Sequence, residues 1–296
     1  MFEMRRLVLI SIFLMLGKSV FALVPIERPN LHESTGIAPL YFGPNAFPVP
    51  EMLDGRVQNH LRVEVAGDGY FGFEGDKTAD AFARVFIPLF TSRVNLTIWM
   101  PVMEWYSMTP QRMATCRVPD SIGHVGNGAG DAYFSTDIQI LREKKWVPAI
   151  ALRAACKSAS GGYFEYARHY DCPGYFMDLS LGKSWLLGEK SDVELRLAGS
   201  AGFLCWQTDN GRQNDAVMYG LQFLLHTQYV SLRTTWSGYV GWENDGDRPM
   251  IIKGRLSGHL NQFEPYVEYQ YGIKDYPFHM IRVGLAYNID IFKDGE

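Results

Sequence analysis

The chain has 296 residues, a formal net charge of −4 and an isoelectric point near 6.0. Because acidic and basic residues nearly balance, the composition argues against a nucleic-acid partner. Aromatic residues make up 14% of the chain, and its many Tyr and Trp residues are of the types that suit a membrane–water interface.

The N-terminus has the pattern of a secretory signal peptide at 1–22. Arg5 and Arg6 precede an almost unbroken apolar run at 7–16, and small residues then lead to a cleavage site at 20–22. A basic start followed by a short apolar core predicts a cleaved signal peptide and not a membrane span; an uncleaved buried helix is the alternative. We therefore expect an exported protein.

Residues 23–58 form a proline-rich arm that does not read as a strand. Six of the fifteen prolines lie there: Pro25, Pro29, Pro39, Pro44, Pro48 and Pro50. Proline lacks the N–H that a strand ladder requires, so the arm is expected to be irregular or extended. Two alternatives are open. The arm is a periplasmic tail, or it folds into a barrel lumen and seats Tyr41, Phe42 and Phe47 against the wall.

Residues 59–296 alternate between apolar and small or polar residues, as at Ile281, Val283 and Leu285 with Arg282 between the first two. After the signal peptide no run of about 18 apolar residues could form a spanning helix. A period of two sustained over about ten residues is typical of a tilted membrane-spanning strand. Twelve segments carry it: 59–74, 79–91, 94–107, 130–142, 146–158, 172–187, 192–206, 214–226, 229–243, 248–260, 263–274 and 278–292.

The connections between these segments alternate in length, and the longer ones fall at 108–129, 159–171, 207–213 and 244–247. Outer-membrane barrels have short periplasmic turns, long external loops and even strand numbers. The sequence therefore predicts an all-β fold, a transmembrane antiparallel up-and-down barrel of twelve strands at 59–296, in the outer membrane of a Gram-negative cell. Ten or fourteen strands are the alternatives, because two of the segments can be divided differently.

One stretch of about thirty residues resembles a known family. Gly130-Asp131 is followed by an alternating strand, a turn near Lys144 and Pro-Ala-Ile-Ala-Leu-Arg at 148–153. This pattern is similar to that of outer-membrane barrels associated with the meta-pathway of phenol degradation, although Ser-Ala-Ser-Gly at 158–161 stands where those barrels have Pro-Thr-Gly. The resemblance implies a transporter-like barrel for small, often hydrophobic compounds.

Strand parity predicts which charged side chains face the lumen. The predicted inward cations are Arg62, Arg84, Arg153, Arg196, Arg233, Lys253, Arg255 and Arg282. The predicted inward anions are Glu64, Asp68, Asp137, Asp178, Glu194, Glu264, Glu268 and Asp290. The two signs balance, so neither dominates the field inside the barrel. A constricted aqueous pore and an interior filled by ion pairs are both compatible with twelve strands.

The four cysteines map to the end of the barrel that carries the long loops. An oxidising compartment favours disulfides, and Cys156 and Cys172 flank one predicted loop, so we expect that pair and a second pair of Cys116 with Cys205. A zinc site at His169 and Cys172 is an alternative without the paired Cys-x-x-Cys spacing of structural zinc sites. No metal and no cofactor is therefore expected.

Motifs of enzymes are absent from the sequence: it has neither His-Glu-x-x-His nor Gly-x-Ser-x-Gly. The nearest catalytic candidates, Ser257 and His259, are both predicted to point inward, whereas lipid chemistry needs groups that face the membrane. We assign no catalytic residue.

The sequence predicts a passive outer-membrane channel or uptake barrel for small solutes. Its expected partners are outer-membrane lipid, the barrel assembly machinery and a solute that the sequence does not identify. The alternatives are a lipid-modifying barrel enzyme, similar to a phospholipase or lipid A deacylase, and a non-conducting structural or adhesion barrel.

Overall fold

The computed structural model describes residues 37–89, 91–162, 167–170, 172–187, 192–208 and 214–290. The predicted signal peptide and the first part of the arm, up to residue 36, lie outside the described residues. None of the helices in the described ranges is long and apolar enough to cross a membrane.

Within the described residues, antiparallel strands account for most of the chain. They are β1 (Leu61–Gly72), β2 (Lys77–Pro88), β3 (Val94–Ser107), β4 (Val125–Gly128), β5 (Tyr133–Leu141), β6 (Ala149–Lys157), β7 (Gly174–Leu187), β8 (Val193–Trp206), β9 (Asn214–Thr227), β10 (Val230–Gly241), β11 (Met250–Gly258), β12 (Phe263–Lys274) and β13 (Phe278–Ile289). The arm contains a 3-10 turn at Pro39–Tyr41, and a short helix α1 (Pro110–Thr115) follows β3.

The sheet closes on itself. The first strand pairs with the last over its whole length, from Leu61 with Ile289 to Gly72 with Phe278. Its other edge pairs with β2, which in turn pairs with β3. Twelve strands form the ring, and β4 pairs only with the last residues of β3. The predicted fold class and strand number are confirmed; the alternatives of ten or fourteen strands are wrong.

The two ends of the barrel differ in their connections. Residues 108–132, 158–173 and 242–249 connect strands at one end, which we call the loop end. The opposite end, which we call the turn end, has the short connections 228–229 and 259–262. The predicted alternation of long and short connections is therefore present, and β4 occupies part of the long connection that was expected to have no strand.

The faces of the wall follow the strand parity. Leu197, Leu221 and Leu285 point outward and are 49%, 59% and 41% exposed, whereas their neighbours Arg196 and Gln222 point inward and are buried. An apolar exterior around a polar interior is the arrangement of membrane-spanning barrels and the reverse of a water-soluble fold. The outer surface is therefore suited to lipid.

A hydrophobic core lies inside the barrel near the loop end, where the arm meets the wall. Arm residues Tyr41, Phe42 and Phe47 pack there with Trp206 of β8 and Tyr239 of β10. The arm brings apolar side chains into a lumen whose other inward residues are largely polar, and the core forms where these side chains meet the apolar residues of the wall. The arm is thus an integral part of the packing at this end.

Candidate channel interior

The arm runs through the lumen from the loop end to the turn end. At the loop end Arg112 of α1 donates to the carbonyls of Leu40 (3.1 Å) and Phe42 (3.0 Å). At the turn end Gln139 of β5 donates to the carbonyl of Gly55 (2.7 Å) and accepts from the backbone N–H of Val57 (3.0 Å). The described part of the arm therefore lies inside the barrel.

Phe47 is the apolar anchor of the arm. It is 1% exposed, and its ring centroid lies 5.2 Å from that of Phe42, 5.9 Å from that of Tyr170 and 6.1 Å from that of Trp206. The hydroxyl of Tyr239 donates to the Phe47 carbonyl at 3.1 Å. Burial of a whole aromatic ring stabilises by about 1.5–3 kcal/mol, so this contact contributes substantially to the docking of the arm.

Asn45 holds the arm to two acidic residues of the wall. Its side-chain amide donates to Asp80 of β2 and to Glu104 of β3, each at 2.7 Å. On its other side Glu104 accepts from Arg168 at 2.9 Å, and Arg168 also pairs with Asp76 at 2.7 Å. The loop that carries Arg168 is therefore tied to the same carboxylates as the arm.

Gly43 makes room for that loop. A Cβ at this position would lie 2.8 Å from Cζ of Arg168, and the backbone N–H of Gly43 donates to the carbonyl of Ala167 at 2.7 Å. Arg168 itself is fully buried. Arm and loop therefore interlock where they cross the loop end of the lumen.

The sequence interpretation did not include this acidic cluster among its lumen residues. Asp80 has the same strand parity as Arg84, which was predicted to face inward, so parity could have found it. Parity could not have found Glu104, because a register shift in the pairing of β2 with β3 reverses the inward parity of β3 after Pro101. Arg168 and His169 lie in a loop without periodicity, and only the tertiary structure brings His169 to 3.7 Å from Glu104 and from Asp131.

Many of the predicted lumen charges form ion pairs between strands on the inner face of the wall. These pairs are Arg62 with Glu264 (2.6 Å), Arg153 with Asp178 (2.6 Å), Arg255 with Glu268 (2.8 Å) and Arg282 with Asp68 (2.6 Å). Glu64 accepts from Tyr266 and lies 3.4 Å from Arg255. Asp137 accepts from Thr97 and Ser135, each at 3.1 Å. Much of the lumen charge is therefore neutralised within the wall.

At the turn end Arg196 and Glu194 have partners outside the predicted set. Arg196 pairs with Glu143 of the β5–β6 turn at 2.6 Å, and Glu194 pairs with Arg56 of the arm at 2.8 Å. Burial favours the neutral acid, but hydrogen bonds from the Ser184 N–H and from Arg196 and Lys183 outweigh it and lower the pKa of Glu143 to about 2. Asp290 is exposed beyond the end of β13.

Three predicted lumen cations have no ion pair with a carboxylate of the wall among the described residues. Arg84 of β2 pairs with Glu51 of the arm. Arg233 of β10 and Lys253 of β11 have no carboxylate within ion-pair distance in the described ranges, and Nε of Arg233 is buried without a hydrogen-bond partner. These cations and Glu51 line the same cavity.

The cavity has a volume of about 530 Å³ and lies between the arm and the wall. Its lining extends from Asn45 to the exposed Asn59 at the turn end. The candidate catalytic residues Ser257 and His259 line it too, as their inward parity predicted. His259 packs against His226 with ring centroids 4.8 Å apart, and within the described residues no hydrogen bond joins it to Ser257. Both residues thus belong to the polar lining of this compartment.

The predicted disulfides are not confirmed, since none of the four cysteines forms a disulfide in this structure. Cys156 points out of the wall, whereas Cys172 belongs to the hydrophobic core inside it. Cys205 has the outward parity of β8, whereas Cys116 packs against the core inside. Cys156 and Cys172 therefore lie on opposite sides of the wall, which their proximity along the chain could not reveal. Burial raises the pKa of the Cys116 thiol to about 11.

In the described part of the chain, no group of three or more His, Cys, Asp or Glu side chains is arranged so that it could hold a metal ion. His169 is buried between Glu104 and Asp131 at the loop end. Cys172 lies in the hydrophobic core and accepts through its backbone carbonyl from Lys157 at 2.9 Å. The two residues thus have separate environments.

No protein-family model and no curated protein sequence matches the chain. Solved structures do. An outer membrane channel from Pseudomonas putida F1 matches with a TM-score of 0.55 and 12% identity, over 81% of this chain and 100% of that chain.

Two further solved barrels match with lower scores. The NanC porin has a TM-score of 0.46 and 13% identity, over 77% of this chain and 100% of that chain. The transport unit of the autotransporter AIDA-I from Escherichia coli has a TM-score of 0.44 and 12% identity, over 81% of this chain and 92% of that chain. The fold expected from the sequence resemblance is confirmed: the chain shares the antiparallel β-barrel fold of the Pseudomonas putida channel.

Proposed function

We propose that the protein is a passive channel for small solutes in the outer membrane of a Gram-negative cell, and that its own N-terminal arm narrows the lumen. The observation that carries this proposal is the polar cavity of about 530 Å³ beside the arm, inside a closed barrel with an apolar exterior. A lumen of this kind offers hydrated solutes a path that the surrounding lipid does not.

The cellular location is part of the proposal. A closed barrel satisfies every backbone hydrogen bond without a free sheet edge, which is the condition for crossing a bilayer with strands. The predicted signal peptide would direct export, after which the barrel assembly machinery would insert the chain. The fold shared with an outer membrane channel supports the same location.

The arm is the proposed restriction. It crosses the whole lumen, and Phe47 with Trp206 fills the loop end, so a solute that enters from that end meets packed side chains and not water. Loops and irregular segments are tolerated at this depth because the barrel shields them from lipid. Passage then requires that the arm shift or leave.

Planar-bilayer recordings test both parts of the proposal. We expect the mature protein to give small conductance steps, and deletion of 25–55 behind an intact signal peptide to give larger ones. Both proteins should run faster in SDS before heating than after it, which controls for the integrity of the barrel. Equal conductance with and without the arm would refute the restriction, and silence of both proteins would refute the channel.

A non-conducting structural barrel is the second candidate. The observation that favours it is the packing of arm and loop at the loop end. There Arg168, in the loop between β6 and β7, forms ion pairs with Asp76 and Glu104. If this closure is permanent, neither protein conducts although both are folded. The same recordings therefore separate the two candidates.

A further inference from the structure

Glu51 lies between two arginines of the wall. One oxygen of its carboxylate pairs with Arg84 of β2, and the other lies 3.6 Å from Nη2 of Arg255 in β11. Arg255 also has wall partners, Glu268 at 2.8 Å and Glu64 at 3.4 Å. Among the described residues, Glu51 is the carboxylate that forms an ion pair with Arg84. The arm therefore carries a counter-charge that the wall does not supply.

Even with Glu51 in place, the cavity beside it has an excess of positive charge. Arg233 and Lys253 are on the neighbouring strands β10 and β11 and have no carboxylate within ion-pair distance among the described residues. Both residues, like Glu51 and Arg255, also line a smaller cleft against the arm. Both side chains are only partly buried and so remain open to the cavity that they line, and a charged interior of low dielectric concentrates the opposite ion.

We propose that this cavity is a binding site for small carboxylates and that Glu51 is a tethered competitor for it. A solute carboxylate held by Arg233 and Lys253 would compete with the Glu51 carboxylate for Arg84 and Arg255. Binding would then release the middle of the arm from the wall. No bond is made or broken in this exchange, which replaces one carboxylate with another.

The size of the cavity fits such a ligand. A volume of about 530 Å³ is within the range of about 300–1,000 Å³ that small-molecule sites commonly have. Because Glu51 belongs to the arm, its local concentration is high, and a free solute must compete against it as against any linked ligand. Weak binding to the native protein and tighter binding once Glu51 is neutral are therefore the expected signature.

The competition is tested by calorimetric titration of the full mature protein in detergent with succinate, at pH 7 and constant ionic strength. We expect Glu51→Gln to lower the Kd for succinate about tenfold or more, since it removes the charge and keeps the shape. Adding Arg233→Gln or Lys253→Met to Glu51→Gln should raise the Kd again about tenfold. Succinamide, which is neutral, should not bind.

Asp54→Asn is the matched control. Asp54 is also an arm carboxylate, but it lies 3.4 Å from Arg196 at the turn end, and Arg196 keeps Glu143 as a partner. This variant should bind succinate as the native protein does. If Glu51→Gln loses its heat-modifiable mobility and is therefore not folded, Glu51→Asp replaces it. Its shorter side chain reaches Arg84 less well, so its Kd for succinate should lie below that of the native protein and above that expected for Glu51→Gln.

Hydrogen exchange measures the release of the arm. Saturating succinate should speed exchange of the backbone amides of Val49 and of residues 51–54 in the native protein, since Pro48 and Pro50 have no amide hydrogen. Equal Kd values for native and Glu51→Gln protein would overturn the competition, an arm whose exchange does not change would overturn the release, and an absence of succinate binding in every variant would overturn the site.

The inference rests on the proposed function only for its role in transport, because binding is measured without a bilayer. Conductance without succinate binding would support the channel and refute the carboxylate site. Succinate binding without conductance would support the carboxylate site and refute the channel.

Discussion

Single polar side chains decide how the arm is held inside the barrel. Asn45 has an amide with two donor hydrogens, and it gives one to each of two neighbouring carboxylates, Asp80 and Glu104. An amide can separate two buried acids in this way, whereas an apolar residue would leave them facing each other without donors. The polar contacts of the arm are thus specific as well as stabilising.

The thiol at Cys116 gives a test at the same scale. Its pKa is raised to about 11 by burial in the loop that follows α1. Well below that pKa the thiolate fraction grows tenfold with each pH unit. In a protein with Cys156→Ser, Cys172→Ser and Cys205→Ser, the alkylation rate with iodoacetamide should therefore still rise at pH 9.5.

The unfolded chain serves as the control for this measurement. Without burial the thiol has a pKa of about 8.5, so the rate in guanidinium should level off above that pH. A folded protein whose rate also levels off near pH 9 would contradict the burial of Cys116.

At the scale of elements, the arm and the loop end form one packed unit. Leu40 and Phe42 accept from Arg112 of α1, and Gly43 meets the loop at Ala167. These contacts join three separate parts of the chain inside the ring of strands. Because arm and loop contact each other as well as the wall, displacement of one should loosen the other.

Phe47→Ala should release the arm. Removing a fully buried phenylalanine ring costs about 3–5 kcal/mol, including the cavity that it leaves, and here the loss falls on the docked state of the arm and not on the strand ladder. Limited proteolysis with proteinase K should therefore cut the arm at least ten times faster, and mass spectrometry should find the barrel intact.

Leu53→Ala is the control within the same arm, because Leu53 is only half-buried and its truncation removes less packing. If the arm of Phe47→Ala is cut no faster than that of Leu53→Ala, Phe47 is not the anchor of the arm.

At the scale of the whole molecule, the barrel is an apolar cylinder closed by the pairing of β1 with β13. Its outward residues are exposed leucines, valines and aromatics, and its inward residues are mostly charged or polar outside the hydrophobic core at the loop end. This distribution is stable only if lipid surrounds the outside. Insertion and stability should therefore depend on which face a substitution changes.

Leu221→Arg tests that dependence. Leu221 lies near the centre of β9 and is 59% exposed on the outer face. A cation on the lipid face near the midplane costs about 2–4 kcal/mol, so the free energy of unfolding in phospholipid vesicles should fall by that amount. The volume-conserving control Leu221→Met should change it by less than about 1.5 kcal/mol. Equal stability of the two variants would show that this face does not meet lipid.

Local pattern was sufficient for the strands and insufficient for the loop end. The alternation from Ile281 to Leu285 predicts a strand in isolation, because the two faces of a strand are defined by neighbours in sequence. The short strand at Val125–Gly128 was missed because four residues rich in glycine carry no period. Arg168 was missed for the same reason, and His169 was considered only as a zinc ligand.

The sequence by itself determined the closed antiparallel barrel, its twelve strands and the inward face of residues such as Arg62 and Arg84, since parity is a local property of the chain. Tertiary structure alone decided the partners of those charges. Arg62 meets Glu264 across 202 positions of sequence, and Arg84 finds its carboxylate on the arm, at Glu51. The physical reason is that closure of the ring and the path of the arm bring together residues that no periodicity relates.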